Sequence, residues 1–234
     1  MTTRPRVSRA ITVASCTSRA LVTLGALAAL VASGGCALLT KAEPLEPRFF
    51  TPETTARPGG GAGAPGGASA TRGLELRLAR VNAGSSIRDR LVYRDSGHEV
   101  GYYEERRWTE KPEAYVRRAL ARALFERRGV AQVIAGAAPT LDVDVIAFEE
   151  VRAPAHLARV ELAFTLHDER TVSLADAVVI EKAVPVTKDE ASAEAVVQGL
   201  GEAMEAAVES VAARVTERLV ADRAAAPAHA QGAQ

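Results

Sequence analysis

Apolar residues along this chain recur with two different periods. Leu74, Leu76 and Leu78 alternate with Glu75 and Arg77, the pattern of a strand with one buried face. Arg90–Arg94 and Glu99–Tyr103 flank Asp95-Ser96-Gly97-His98, which predicts a hairpin closed by a glycine-containing loop. The period then lengthens. Val116, Leu120 and Leu124, with Ala119 and Ala123, form one helix face. Pro112 lies in its first turn, where no amide donor is lost, and Arg127-Arg128 followed by Gly129 ends it. Alternation returns at Leu141-Asp142-Val143-Asp144-Val145, at Val160, Leu162, Phe164 and Leu166, and through Val172–Val184. His167–Arg170 reads as the loop joining the last two strands, and the residues from Phe148 to Leu157, which include Pro154, read as the turn before them. Val197, Leu200, Met204, Val208, Val211, Val215 and Leu219 then run down one side of a long final helix. Thr187-Lys188-Asp189-Glu190 fits a capping box at its start. Both helices can cover a mixed sheet, giving an α/β domain. Its expected core holds Leu120, Leu124, Leu162, Phe164, Leu200 and Met204.

A different pattern precedes this body. Arg4, Arg6, Arg9 and Arg19 lead into an apolar run, Ala20 to Ala32, and then Ser33-Gly34-Gly35-Cys36. That is the order of a secretory signal, and its ending on cysteine makes residues 1–35 read as a bacterial lipoprotein signal peptide with Cys36 as the lipid attachment site. Val13-Ala14-Ser15-Cys16 also fits a lipobox, but almost no apolar run precedes it. Ser33 stands where a lipobox usually has leucine. The run is shorter than the roughly 20 residues a membrane span needs. Residues 36–55 are expected to form a lipidated tether with a short first strand at Arg48-Phe49-Phe50. Residues 56–72, rich in Gly, Pro and Ala, read as a linker. No Gly-Lys-Ser/Thr follows those glycines, so they do not read as a phosphate cradle. The folded domain is expected over 73–222, and a disordered tail over 223–234.

Charge and cysteine content narrow the function. The whole chain is formally neutral, with 29 basic and 29 acidic residues. Removing the four signal arginines leaves 25 cations against 29 acids, a net charge near −4. That balance does not favour nucleic acid as a partner. The chain has 2 cysteines, Cys16 in the signal and Cys36 at the lipid site, so a mature domain has no thiol for catalysis or metal binding.

The segment Leu91-Val92-Tyr93-Arg94, Val100-Gly101-Tyr102-Tyr103-Glu104 and Arg107-Trp108-Thr109-Glu110-Lys111-Pro112-Glu113 resembles the signature of ABC-type transport auxiliary lipoproteins, the PqiC-like partners of MCE-protein lipid transport systems. Phe49-Phe50-Thr51-Pro52 resembles the family's strand soon after the lipid cysteine. The resemblance covers roughly residues 48–220. It implies a three-layer α/β sandwich with a mixed sheet covered by an internal helix and a long C-terminal helix. It also implies accessory, non-catalytic work, with an MCE-domain protein and its ABC permease and ATPase as partners. Ala37 follows the cysteine where inner-membrane retention would prefer aspartate, so the expected location is the inner leaflet of the outer membrane, facing the periplasm.

Few side chains suggest chemistry. Asp142 and Asp144 share one strand face, with no histidine or third carboxylate at ligand spacing, and read as a solvated face. His98, His156 and His167 fall in loops or at strand ends, and His229 in the tail. There is no Gly-x-Ser-x-Gly elbow. No catalytic residue, metal site or cofactor is expected. Trp108 reads either as a core plug at the sheet–helix junction or as a partner anchor. Tyr102 and Tyr103 point to opposite strand faces, and Arg106 or Arg107 can stack on a ring. Tyr102, Tyr103, Arg106, Arg107 and Trp108 are therefore the candidate contacts to a partner or to a second copy in a homo-oligomer. Two rival functions share the residues: a structural envelope lipoprotein scaffolding another assembly, and an envelope lipid or glycan hydrolase, which would need a convergent acid–base or nucleophile site.

Overall fold

Each alternating segment becomes a strand, and several strands run further than their patterns. The computed structural model describes residues 46–52, 71–187 and 190–230. The strands are β1 (Arg48–Phe50), β2 (Glu75–Ala83), β3 (Arg90–Arg94), β4 (Val100–Trp108), β5 (Ala131–Gln132), β6 (Thr140–Val151), β7 (Leu157–His167), β8 (Val172–Ala183), β9 (Val186–Thr187) and β10 (Glu190–Ala191). The α-helices are α1 (Pro112–Ala121), continued by a wider π turn over Arg122–Arg127, and α2 (Ala193–Ala230). Cys36 and the 56–70 stretch of the expected linker lie outside the described residues.

Strand β6 is the hub of a mixed, eight-stranded sheet. β7 pairs antiparallel along one edge of β6, and β8 pairs antiparallel outside β7. The other edge of β6 takes two strands end to end. β2 pairs parallel with Thr140–Val145, and β3 pairs parallel with Glu149–Val151. β4 forms the expected hairpin with β3, β1 lies parallel outside β4, and β5 lies parallel outside β2.

The core forms where α1, α2 and one sheet face meet. Leu120, Leu124, Leu162, Phe164, Leu200 and Met204 are all 2% exposed or less. Trp108 packs edge-on against Phe148 and Tyr115, at centroid distances of 5.4 and 6.4 Å. The α/β class, the mixed sheet and its two covering helices match the sequence reading. The helices form one layer on a single face and touch each other there. Among the described residues no element covers the opposite face of β6–β8, where Asp144, Ile146 and Val179 are exposed.

Four local features, the first three of them departures from the sequence reading, have physical causes. First, β6 continues through the residues expected to turn, because a bulge between Val145 and Ala147 shifts the strand's phase. Leu141, Val143 and Val145 point inward before it, and Phe148 and Glu150 after it. Second, Thr187 does not cap α2. It pairs with Glu190 in the small β9–β10 ladder, and the Ser192 hydroxyl accepts the Ala195 amide at 3.1 Å instead. Third, α2 continues to Ala230, into the alanine-rich segment that composition assigns to a tail. Fourth, Gly201 on α2 is buried where β1 ends. A Cβ there would lie 2.2 Å from the Pro52 carbonyl oxygen, so the close approach needs glycine.

Candidate functional site

The β3–β4 hairpin and the C-terminal end of β6 bring together a group of aromatic and charged side chains. Register sets the group up. Tyr93 faces Gly101 across the hairpin and Glu150 across β6. Without a Cβ, Gly101 leaves room for the Tyr93 ring, three atoms of which would otherwise lie 2.2–2.4 Å from it. Tyr103 follows on the same strand face and meets Tyr93 edge-on at 5.1 Å between centroids. Two guanidinium groups flank the pair. Arg152 lies 3.6 Å from the Tyr93 centroid and 5.0 Å from that of Tyr103, and Arg106 lies 3.9 Å from Tyr103.

Beneath this stack sits a buried carboxylate. Glu150 is 1% exposed and accepts a hydrogen bond from the Tyr103 hydroxyl at 2.6 Å, with His156 Nδ1 at 3.3 Å from its other oxygen. Burial, and then the bond to Glu150, hold the Tyr103 hydroxyl's pKa above the ordinary tyrosine value. Partial burial opposes charge on Arg152, but Tyr103, Asp95 and Glu150 outweigh it and raise its pKa. Neighbouring Glu149, facing the opposite side, is also buried. It takes a two-pronged contact from Arg94, at 2.8 and 3.1 Å, and this bond holds the Arg94 pKa high. The carboxylate and hydroxyl oxygens here are satisfied, whereas Arg106 Nε and Nη1 are buried with no hydrogen-bond partner among the described residues. The arrangement braces the hairpin against β6 and points no reactive group outward.

The five candidate contacts separate accordingly. Tyr102 is 40% exposed and lies on the uncovered sheet face, paired with Val92. Tyr103 turns inward to Glu150, and Arg106 is occupied on its ring. Arg107 donates to Asp89 at 2.5 Å. Trp108 is 2% exposed and belongs to the core, so its ring presents no surface. Glu149, Glu150, Arg94 and Arg152 escape sequence reasoning, although two successive acids beside an apolar strand at 145–151 were a signal for them. His167 is also brought to Asp142, with Nε2 2.8 Å from a carboxylate oxygen. Among the described residues, no three His, Cys, Asp or Glu side chains are grouped to hold a metal ion.

Similarity to known proteins places this architecture. The family model for the ABC-type transport auxiliary lipoprotein component matches residues 61–212. A crystal structure of a DUF330 protein from Xanthomonas campestris is 18% identical, with a TM-score of 0.58 over 64% of this chain and 88% of that one. An uncharacterized protein is 14% identical, with a TM-score of 0.51 over 61% of this chain and 92% of that one. At these identities the two structures show the shared fold alone. No curated protein matches the sequence. The matched region runs from before β2 to within α2 and includes the whole hairpin site. The chain therefore belongs to the ABC-type transport auxiliary lipoproteins, cell-envelope components that serve an ABC transporter.

Proposed function

We propose that this protein is a lipid-anchored, periplasm-facing accessory component of an MCE/ABC-type system that moves phospholipids or related amphiphiles across the cell envelope. The observation that carries this reading is the family match over residues 61–212. The energy comes from a separate ATPase, and the protein's role is to hold or position the MCE partner. Cys36 carries the lipid, and Ala37 beside it favours the outer membrane. In this reading Tyr102, on the open sheet face, contacts the partner, and the Tyr103–Glu150–Arg152 network keeps the hairpin rigid behind it.

A photo-crosslinking amino acid at position 102 tests this in cells. The expected adduct is with an MCE-domain protein. Adducts that contain neither that protein nor its permease or ATPase would refute the transport assignment. Adducts between copies of this chain would move Tyr102 to a homo-oligomer interface. Palmitate labelling that survives Cys36→Ala but disappears with Cys16→Ala would refute the anchor.

A further inference from the structure

The outer edge of β2 is half used. The carbonyls of Leu74 and Leu76 accept the amides of Ala131 and Val133, at 2.8 and 3.1 Å, so these residues turn their backbone toward β5. Arg77 turns the other way, its amide donating to Pro139 at 2.8 Å. Alternation next directs the backbone of Leu78 to the β5 side, but β5 ends at Gln132. From there to Ala83, no strand among the described residues pairs with that edge. The edge runs along an open groove of about 1060 Å³ beside the start of α1. Ile134, 91% exposed, stands on its β5 side.

The groove is basic in a chain that is formally neutral overall. Arg77, Arg80, Lys111 and Arg117 line it against Glu110 and Glu113. Glu110 is already engaged by Arg118, 2.5 Å away. The Arg117 guanidinium donates to the carbonyl of Ala79, at the β2 bulge, so that one carbonyl is taken and the charge is fixed beside backbone that has no strand partner. Arg77 Nε is buried with no hydrogen-bond partner among the described residues. An unpaired strand edge selects an extended polypeptide, because only a backbone supplies donors and acceptors at strand spacing. The excess of cations selects an acidic one.

We propose that the β2 edge is a docking site for an acidic, extended peptide segment of a partner protein, which adds to the sheet as a strand beside Leu78–Ala83. The site is separate from the Tyr102 face and does not depend on an MCE partner. Backbone pairing supplies the register, and Arg80, Lys111 and Arg117 supply the preference for acidic side chains.

The test uses the full chain and a fluorescein-labelled synthetic peptide of alternating glutamate and valine, read by anisotropy. The expected result is saturable binding that weakens with added salt. The paired substitution Arg80→Glu and Lys111→Glu should weaken it by about tenfold, equivalent to one 1.4 kcal/mol step. The same peptide N-methylated at alternate amides, which keeps its charge and loses one edge of donors, should not bind. Arg80 and Lys111 are both exposed, so the urea midpoint of the doubly substituted protein should match the parent's. Equal binding of the N-methylated peptide would reduce the groove to a charge patch and overturn the proposal. So would unchanged affinity in the charge-reversed protein, no binding at all, or a dimer in sedimentation that the charge reversal dissociates.

Discussion

Replacing Gly101 by alanine tests whether the hairpin is organised around the Tyr93 ring. The new Cβ would lie 2.2 Å from Tyr93 Cζ and 2.4 Å from Cε2 and the hydroxyl oxygen. Carbon atoms in contact sit no closer than about 3.5 Å, so the ring must retreat by about 1.3 Å. It has little room, with Arg152 3.6 Å from its centroid and Tyr103 at 5.1 Å. Overpacking of this kind costs about 1–3 kcal/mol. A partly exposed cation–π contact adds about 0.5–1 kcal/mol when broken. Gly101→Ala should therefore destabilise by about 1.5–4 kcal/mol. Urea unfolding can be followed by the fluorescence of Trp108, the one tryptophan in the chain and 2% exposed. The decisive comparison repeats the substitution in a Tyr93→Ala background. With the ring gone, alanine at 101 should be neutral or slightly stabilising, because it removes glycine's extra unfolded-state freedom. An equal loss in both backgrounds would mean that the ring does not occupy the space above Gly101, and the account of the hairpin would fall.

Three other outcomes follow from packing and charge. Leu124→Ala, at a fully buried position, should lose about 2–5 kcal/mol in the same assay, while Asp142→Ala on the open face should stay within about 0.5 kcal/mol. Gly201→Ala should press β1 away from α2, seen as faster hydrogen exchange at the Thr109 amide, which bonds the Phe50 carbonyl at 2.9 Å; unchanged exchange would argue against the close Pro52 contact. The His167 pKa is raised, first by its bond to the Asp168 carbonyl and then by Asp142, so its small stabilising effect should be complete below the ordinary value of 6.5 and lost as pH rises through the higher folded value. Asp142→Asn should flatten that dependence, and an unchanged pH profile would show that the pair contributes nothing.

Period-two and helical patterns made the strands and both helices readable because each element buries one face against the same core. The reading failed where a backbone irregularity changed the phase. After the bulge at Val145–Ala147 the inward position is held by Glu150, a carboxylate that no hydropathy pattern places in a core. It is accepted there because Tyr103, from a strand 47 residues earlier, donates to it. Long-range partnership of that kind leaves no local trace. The same limit explains the end of the β9–β10 region. Thr187-Lys188-Asp189-Glu190 has the letters of a capping box, but strand pairing takes Thr187 and Glu190, and Ser192 inherits the cap. Tyr102 and Tyr103 were separable from sequence because adjacent strand residues must face opposite ways. For Trp108 the sequence already offered the core plug beside the partner anchor, and its 2% exposure matches the plug.

The double occupancy of one edge of β6 also sets an order of events during synthesis. β2 and β3 leave the ribosome long before residues 140–151, yet both lack their sheet neighbour until that strand exists. Until then only the β3–β4 hairpin, the β1–β4 and β2–β5 pairings and α1 are available, and none of them closes the core. Among the described residues, those before Thr140 thus lack the strand that joins β2 to β3, and long-range closure of this kind is slow. β2 and β3 gain their shared neighbour only when β6 emerges, and β7, β8 and α2 then have a template to assemble on.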